Sequence, residues 1–286
     1  MQPIIFKEMQ NKKLHFLLKK KLRKYNIIFL FFLFSACKNS NRQNESNQES
    51  SIEPKQLGYT ILKILPHDTS AFTEGLAWHN DFLYESTGLE NKTKIYKIDL
   101  ATGTIIQKLK VPDPTIFGEG ITIFQNKIYQ LTWKNHIAVV YDLNTFKKRG
   151  QFEWPHEGWG VTNNGKMLII STGQSFLYFV NPLTFKVEKR INVEDNYGPV
   201  GNINELEFVN GYIYANIWGT NTIIKINAET GKVAGKISLN GILEKGDIPY
   251  NPAKIDVLNG IAYNPQNNHF LITGKYWPAL FEIELN

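Results

Sequence analysis

The chain repeats itself. A β-rich run, a turn built of Gly, Asn, Pro or Thr, and a second β-rich run recur four times between residues 94 and 239. The first copy is Lys94 to Leu100, Ala101-Thr102-Gly103, then Thr104 to Leu109. Its counterparts run from Ile137 to Phe152, from Phe176 to Val193 and from Thr222 to Leu239. Such runs joined by such turns predict hairpins. Ahead of each hairpin sits a second unit: a glycine-containing opening, an apolar run, a polar turn and another apolar run. Glu119 to Phe124, Gln125-Asn126-Lys127 and Ile128 to Leu131 make one example, and Asn163-Asn164-Gly165 and Asn210-Gly211 mark later turns. Each period holds four short strands with two-residue alternation and no helical stripe. The openings fall near Glu74, Glu119, Trp159, Asn204 and Asn259, a spacing of about 40 to 54 residues. Four strands in that length predict an all-β, five-bladed β-propeller. The irregular spacing argues against a stacked solenoid or a sandwich.

The fifth hairpin is incomplete: no β-rich run follows Ala279 to Leu285. An orphan run, Tyr59 to Leu65, precedes the first blade. Pairing the two closes the ring with an N-terminal strand in the last blade. A closed ring leaves no long sheet edge to template aggregation.

Residues 1–36 read as a signal peptide. Eight basic residues face one acid, Glu8, and an apolar run from Ile27 to Leu33 leads to Phe34-Ser35-Ala36-Cys37. That order is the grammar of a secretory leader, and the apolar run is too short to span a bilayer. Cys37, the only cysteine, follows small residues as in a bacterial lipobox. A lipid on Cys37 would place the protein at the cell envelope, attached to a membrane; the alternative is an ordinary leader with an incidental cysteine. Residues 37–57 then form a polar tether with too little apolar surface to offset its ordering entropy, and residues 58–286 form the folded domain. Outside the leader, 24 basic residues stand against 25 acidic ones. The basic charge of the whole chain therefore belongs to the leader and gives no reason to expect a nucleic-acid partner. A monomer is expected.

In a propeller, the starts of the innermost strands face one mouth of the ring. Here the openings read Phe72-Thr73-Glu74-Gly75, Phe117-Gly118-Glu119-Gly120, Gly158-Trp159-Gly160, Asn204-Glu205-Leu206-Glu207 and Asn259-Gly260. Polar or aromatic side chains recur at one phase, where packing alone would favour apolar ones, so a convergent pocket is expected. The second strands add Trp133, Trp218 and Lys275. A carboxyl group between indole walls is desolvated, which raises its pKa toward neutrality and suits it to acid–base work.

The ordered pieces FTEG, ESTG, FGEG, LTWKN, GWG, NELE, ANIW, DVLNGIA and TGK-x-WP-x-LFEIEL resemble those of the plant-type glutaminyl cyclases, from Phe72 to Leu285. The resemblance implies a five-bladed propeller that converts N-terminal glutamine of peptides or proteins to pyroglutamate and releases ammonia without a catalytic metal or other required cofactor. It implies that Glu119 is the general acid–base and that Asn204 and Lys275 hold and polarise the substrate amide. Trp133, Trp159 and Trp218 would wall the pocket, with Phe72, Glu74 and Phe117 at its rim. Position 74 can be Gln in the family; Glu74 adds a second carboxyl group that would raise the pKa of Glu119. The resemblance also leaves room for a structural Ca²⁺ whose ligands the sequence does not place. Two alternatives belong to other classes. One is a lactonase-like hydrolase holding Ca²⁺ on Glu119, Asn204 and Asn259. The other is a non-catalytic propeller that grips a peptide end.

Overall fold

The computed structural model describes residues 53–286. The leader, Cys37 and most of the tether lie outside the described residues. Five antiparallel sheets follow one another in chain order. Blade 1 is β3 (Thr73–His79), β4 (Phe82–Thr87), β5 (Lys94–Asp99) and β6 (Thr104–Lys110), and blade 2 is β7 (Gly118–Phe124), β8 (Lys127–Thr132), β9 (Ile137–Asp142) and β10 (Lys148–Glu153). Blade 3 is β11 (Val161–Asn163), β12 (Leu168–Ile170), β13 (Phe176–Val180) and β14 (Val187–Asn192). A small hairpin, β15 (Glu194–Asp195) and β16 (Gly198–Pro199), leads to blade 4: β17 (Ile203–Val209), β18 (Tyr212–Ile217), β19 (Thr222–Asn227) and β20 (Val233–Ser238). One helical turn, α1 (Ile242–Lys245), precedes β21 (Leu258–Asn264), β22 (His269–Gly274) and β23 (Ala279–Leu285) of blade 5.

The innermost strands meet in a cycle: β3 packs on β7, β7 on β11, β11 on β17, β17 on β21, and β21 on β3 again. Glycine makes this approach possible. A Cβ on Gly75 would lie 2.6 Å from the Ile121 nitrogen, and one on Gly120 would lie 2.7 Å from the Trp159 carbonyl. The equivalent residue of blade 4 is Glu205, whose side chain enters the axis and is fully buried.

The ring closes as the sequence predicts. β2 (Tyr59–Pro66) pairs antiparallel with β23, from Tyr59 opposite Leu285 to Pro66 opposite Ala279. The tether ends earlier than composition implied. Lys55–Leu57 forms β1, a parallel fifth strand on β20 of blade 4. The N-terminal segment thus clasps two blades in succession.

Each junction between blades encloses its own apolar core. The junction of blades 5 and 1 has only five buried apolar residues, Leu76, Leu83, Ala262, Leu271 and Leu280. The other junctions have between nine and fifteen. This closing seam therefore has the least apolar burial of the five. Among the described residues no helix is long and apolar enough to cross a membrane.

Candidate active site

The nine side chains that the family resemblance assigns to the pocket line one funnel, and Asn259, the fifth opening, stands behind it. Phe72, Glu74, Phe117, Glu119, Trp133, Trp159, Asn204, Trp218 and Lys275 surround a cavity of about 410 Å³, with Asp256 as a tenth wall. The strand starts deliver Glu74, Glu119 and Asn204, and the segments after β8, β18 and β22 deliver Trp133, Trp218 and Lys275. Aromatic rings line the funnel in two groups. Phe72 and Phe117 stand 6.1 Å apart, Phe117 and Trp133 5.4 Å apart, and Trp159 and Trp218 6.2 Å apart. Gly88 leaves room for this lining, because a Cβ there would lie 2.5 Å from the Phe117 ring.

Glu119 is held from behind. Its carbonyl accepts the Ser86 hydroxyl at 2.6 Å, Ser86 accepts the Gln130 amide, and Gln130 accepts the Tyr141 hydroxyl. Its carboxyl group interacts with that of Glu74 across the junction of blades 1 and 2. Lys275 pairs with the other side of the dyad: Nζ is 2.7 Å from Glu74 Oε1. The cation also lies 4.2 Å over the Phe72 ring. This geometry decides which acid keeps the proton. Burial pushes both carboxyl groups up, and Lys275 beside Glu74 favours charge there. Glu74 is pushed up to about 7, chiefly by burial and against the pull of Lys275. Glu119 is held well above the carboxylate range, first by burial and then by the Glu74 charge.

Asn259 fixes the remaining polar group. Its Nδ2 donates to the Thr73 carbonyl at 2.9 Å and to Glu74 Oε2 at 3.1 Å. Its Oδ1 therefore faces Asn204, whose Nδ2 donates to it at 3.0 Å. Asn204 Oδ1 is buried without a partner. The unused hydrogen-bonding capacity of Asn204 is thus an acceptor. Asn204 and Asn259, two of the three donors in the calcium alternative, are engaged with each other. Among the described residues no group of three or more His, Cys, Asp or Glu is placed to hold a metal ion.

Two site residues escaped the sequence. Glu157 Oε2 accepts the Trp133 Nε1–H at 2.9 Å and the Trp159 Nε1–H at 3.2 Å. Those indole N–H groups are therefore committed to the protein and face no substrate carbonyl. Asp256 sits at the cavity edge, where its backbone N–H donates to the Lys275 carbonyl at 2.9 Å. Glu157 immediately precedes the GWG piece, and Asp256 opens the DVLNGIA piece without having been given a role there. Neither shares the repeat's phase.

A sequence model of the family described as glutamine cyclotransferase matches residues 31–285. The chain belongs to this family. It is 38% identical over 227 residues to a glutaminyl-peptide cyclotransferase of Arabidopsis thaliana, covering 79% of this chain and 70% of that protein. Its fold matches the crystal structure of Myxococcus xanthus glutaminyl cyclase with a TM-score of 0.74 and 33% identity, over 82% of this chain and 99% of the other. The five-bladed reading of the repeat and the family resemblance of the motifs thus agree with these comparisons.

Proposed function

We propose that the funnel closes N-terminal glutamine of peptides and proteins into pyroglutamate, so that the protein acts as a glutaminyl-peptide cyclotransferase. The observation that carries this reading is Glu119, a carboxyl group driven toward its neutral form beside an open, ring-lined cavity. Family membership supports it.

The reaction forms one bond, from the substrate α-nitrogen to its own γ-carboxamide carbon. It breaks one, from that carbon to the amide nitrogen, which leaves as ammonia. Both groups sit on one residue, so binding mainly has to hold the ring-closing geometry. Neutral Glu119 gives its proton to the departing nitrogen, and its conjugate base takes the proton the amine loses. One residue thus serves as acid and base and ends as it began. Lys275 spends one N–H on Glu74 and has others for the developing oxyanion. Asn204 Oδ1 accepts a substrate N–H, and the aromatic walls pack the aliphatic part of the side chain.

The test is ammonia release from a glutamine-initial dipeptide, with and without a chelator. Release that withstands the chelator and falls about 10³-fold in Glu119→Gln is expected. Loss of release with the chelator would point to the calcium-dependent hydrolase. Tight peptide binding without ammonia would point to the binding propeller. We also propose, on the leader's sequence, that Cys37 is acylated and holds the enzyme at the cell envelope. Cys37→Ser is expected in the soluble fraction, and retention on membranes would refute the anchor.

A further inference from the structure

The Lys275–Glu74 pair straddles the closing seam, with the lysine from blade 5 and the glutamate from blade 1. A second buried polar pair lies across the same seam. His67, the residue after the closing strand β2, has a side chain 6% exposed, and Glu85 on β4 is 2% exposed. The His67 Nδ1 is 2.8 Å from the Trp277 carbonyl, and Nε2 is 3.1 Å from Glu85 Oε1. A carbonyl only accepts, so Nδ1 carries a proton. A carboxylate accepts as well, so the ring with both nitrogens protonated satisfies both partners.

What these two bonds hold is the site. Trp277 belongs to the short segment 274–278 that carries Lys275, and the His67 backbone N–H also donates to the Pro278 carbonyl at 3.0 Å. Glu85 Oε1 accepts the hydroxyl of Thr73 at 2.7 Å, one residue before Glu74. Tyr276, next to Lys275, has φ +61, a conformation that a bulky residue adopts only under constraint, and its N–H donates to the Ala71 carbonyl at 2.8 Å. Trp277 fixes the segment to blade 5, buried in the blade 4–5 core with its Nε1–H on the Asp256 carbonyl at 2.9 Å, while the seam toward blade 1 has the smallest apolar core of the five.

We infer that His67 is a positioning residue: its imidazolium ties the lysine segment to blade 1 and so sets the Lys275–Glu74 geometry. The inference rests on the cyclase reading only for its effect on catalysis. The ionisable groups facing the ring are Glu85 on β4, Tyr96 on β5 and Asp68 beside it in the chain; blade 5 presents the Trp277 carbonyl and the Thr273 hydroxyl. Burial opposes charge on the ring, but Glu85, the Trp277 carbonyl and Asp68 outweigh it, so the His67 pKa is raised. The imidazolium is present below that pKa and is lost as pH rises through it. Above that pH the ring keeps its Nδ1–H on the Trp277 carbonyl and no longer donates from Nε2 to Glu85, so the tie to blade 1 is lost.

The experiment follows the Lys275 ammonium directly, by NMR of the protein dimethylated with ¹³C-formaldehyde and assigned with Lys275→Arg. The ring of His67 is titrated in parallel. In the wild type the Lys275 methyl signal is expected to move with the His67 midpoint. In folded His67→Gln it is expected at an altered shift at every pH, with kcat lowered about 10- to 100-fold and the alkaline limb of the pH–rate profile displaced. A Lys275 signal indifferent to both the titration and the substitution overturns the proposal. If His67→Gln does not fold, the wild-type titration still decides. A wild type without cyclase activity but with the coupled titration would refute the functional reading and leave this one standing.

Discussion

Two pairs of carboxyl groups, buried except for the half-buried Glu207, are carried by the innermost strands, and they behave differently. Glu74 and Glu119 stand at the mouth, while Glu205 and Glu207 stand deeper on β17. All four are raised by burial. The deep pair is consumed by the scaffold. Glu205 accepts the Ile261 N–H at 2.7 Å and the Leu76 N–H at 3.4 Å, and Glu207 accepts the Tyr263 N–H at 3.2 Å. The upper pair borders open volume and has one cation, placed unevenly on Glu74. A raised pKa alone is therefore no mark of a reactive acid. What distinguishes Glu119 is space for a substrate and a neighbour that leaves it the proton.

The sharpest test replaces one acid from each level. Glu119→Gln is expected to lose about 10³-fold in kcat/KM and to melt near the wild type, since the amide is isosteric. Glu205→Gln is expected to keep kcat/KM within about threefold but to lose on the order of 1–3 kcal/mol of stability, because the amide has one acceptor oxygen where Glu205 Oε1 and Oε2 accept from Leu76 and Ile261 separately. Steady-state kinetics and denaturant melts of both variants check this, and equal inactivity would erase the distinction.

Next in size is the uneven cation. Lys275→Met removes the charge that favours ionised Glu74, so the Glu74 pKa should climb from about 7. A loss of about 10²-fold in kcat/KM is expected, with the acid limb of its pH profile moved to higher pH. A limb that stays in place would show that Lys275 does not govern the dyad.

Glu157→Ala frees two indoles, and about tenfold in kcat/KM is expected to go, mostly through KM, with a change in tryptophan fluorescence. The smallest effect concerns the deep pair again. Glu207 is pushed from 4.5 up to about 8 in the folded protein. Its stabilising preference is full below the unfolded value and disappears as pH rises through about 8. The melting temperature should fall between pH 5 and pH 9, by about 2–4 °C for each kcal/mol involved, and Glu207→Gln should flatten that slope.

Much of this was legible because a propeller turns sequence phase into direction. Residues at one phase of each repeat point at the axis, so Glu74, Glu119, Trp159, Asn204 and Asn259 could be brought together without coordinates. Glu157 and Asp256 sit on connectors, which have no phase. β1 is three residues long and mostly polar, so neither alternation nor hydrophobicity marks it. The partners of Lys275 and of the Trp133 and Trp159 N–H groups depend on distances across blades that no periodicity encodes. The orientation of Asn204 follows from the Thr73 carbonyl through Asn259, a relay visible only in three dimensions.

The pairing of β2 with β23 joins residues more than 200 positions apart. During synthesis the first of these strands emerges early and finds no mate until residues 279–285 have left the ribosome. Contacts so distant in sequence slow the search for the native state. The nascent chain must therefore carry an unmatched strand until blade 5 is made, and the same blade brings Lys275 to Glu74.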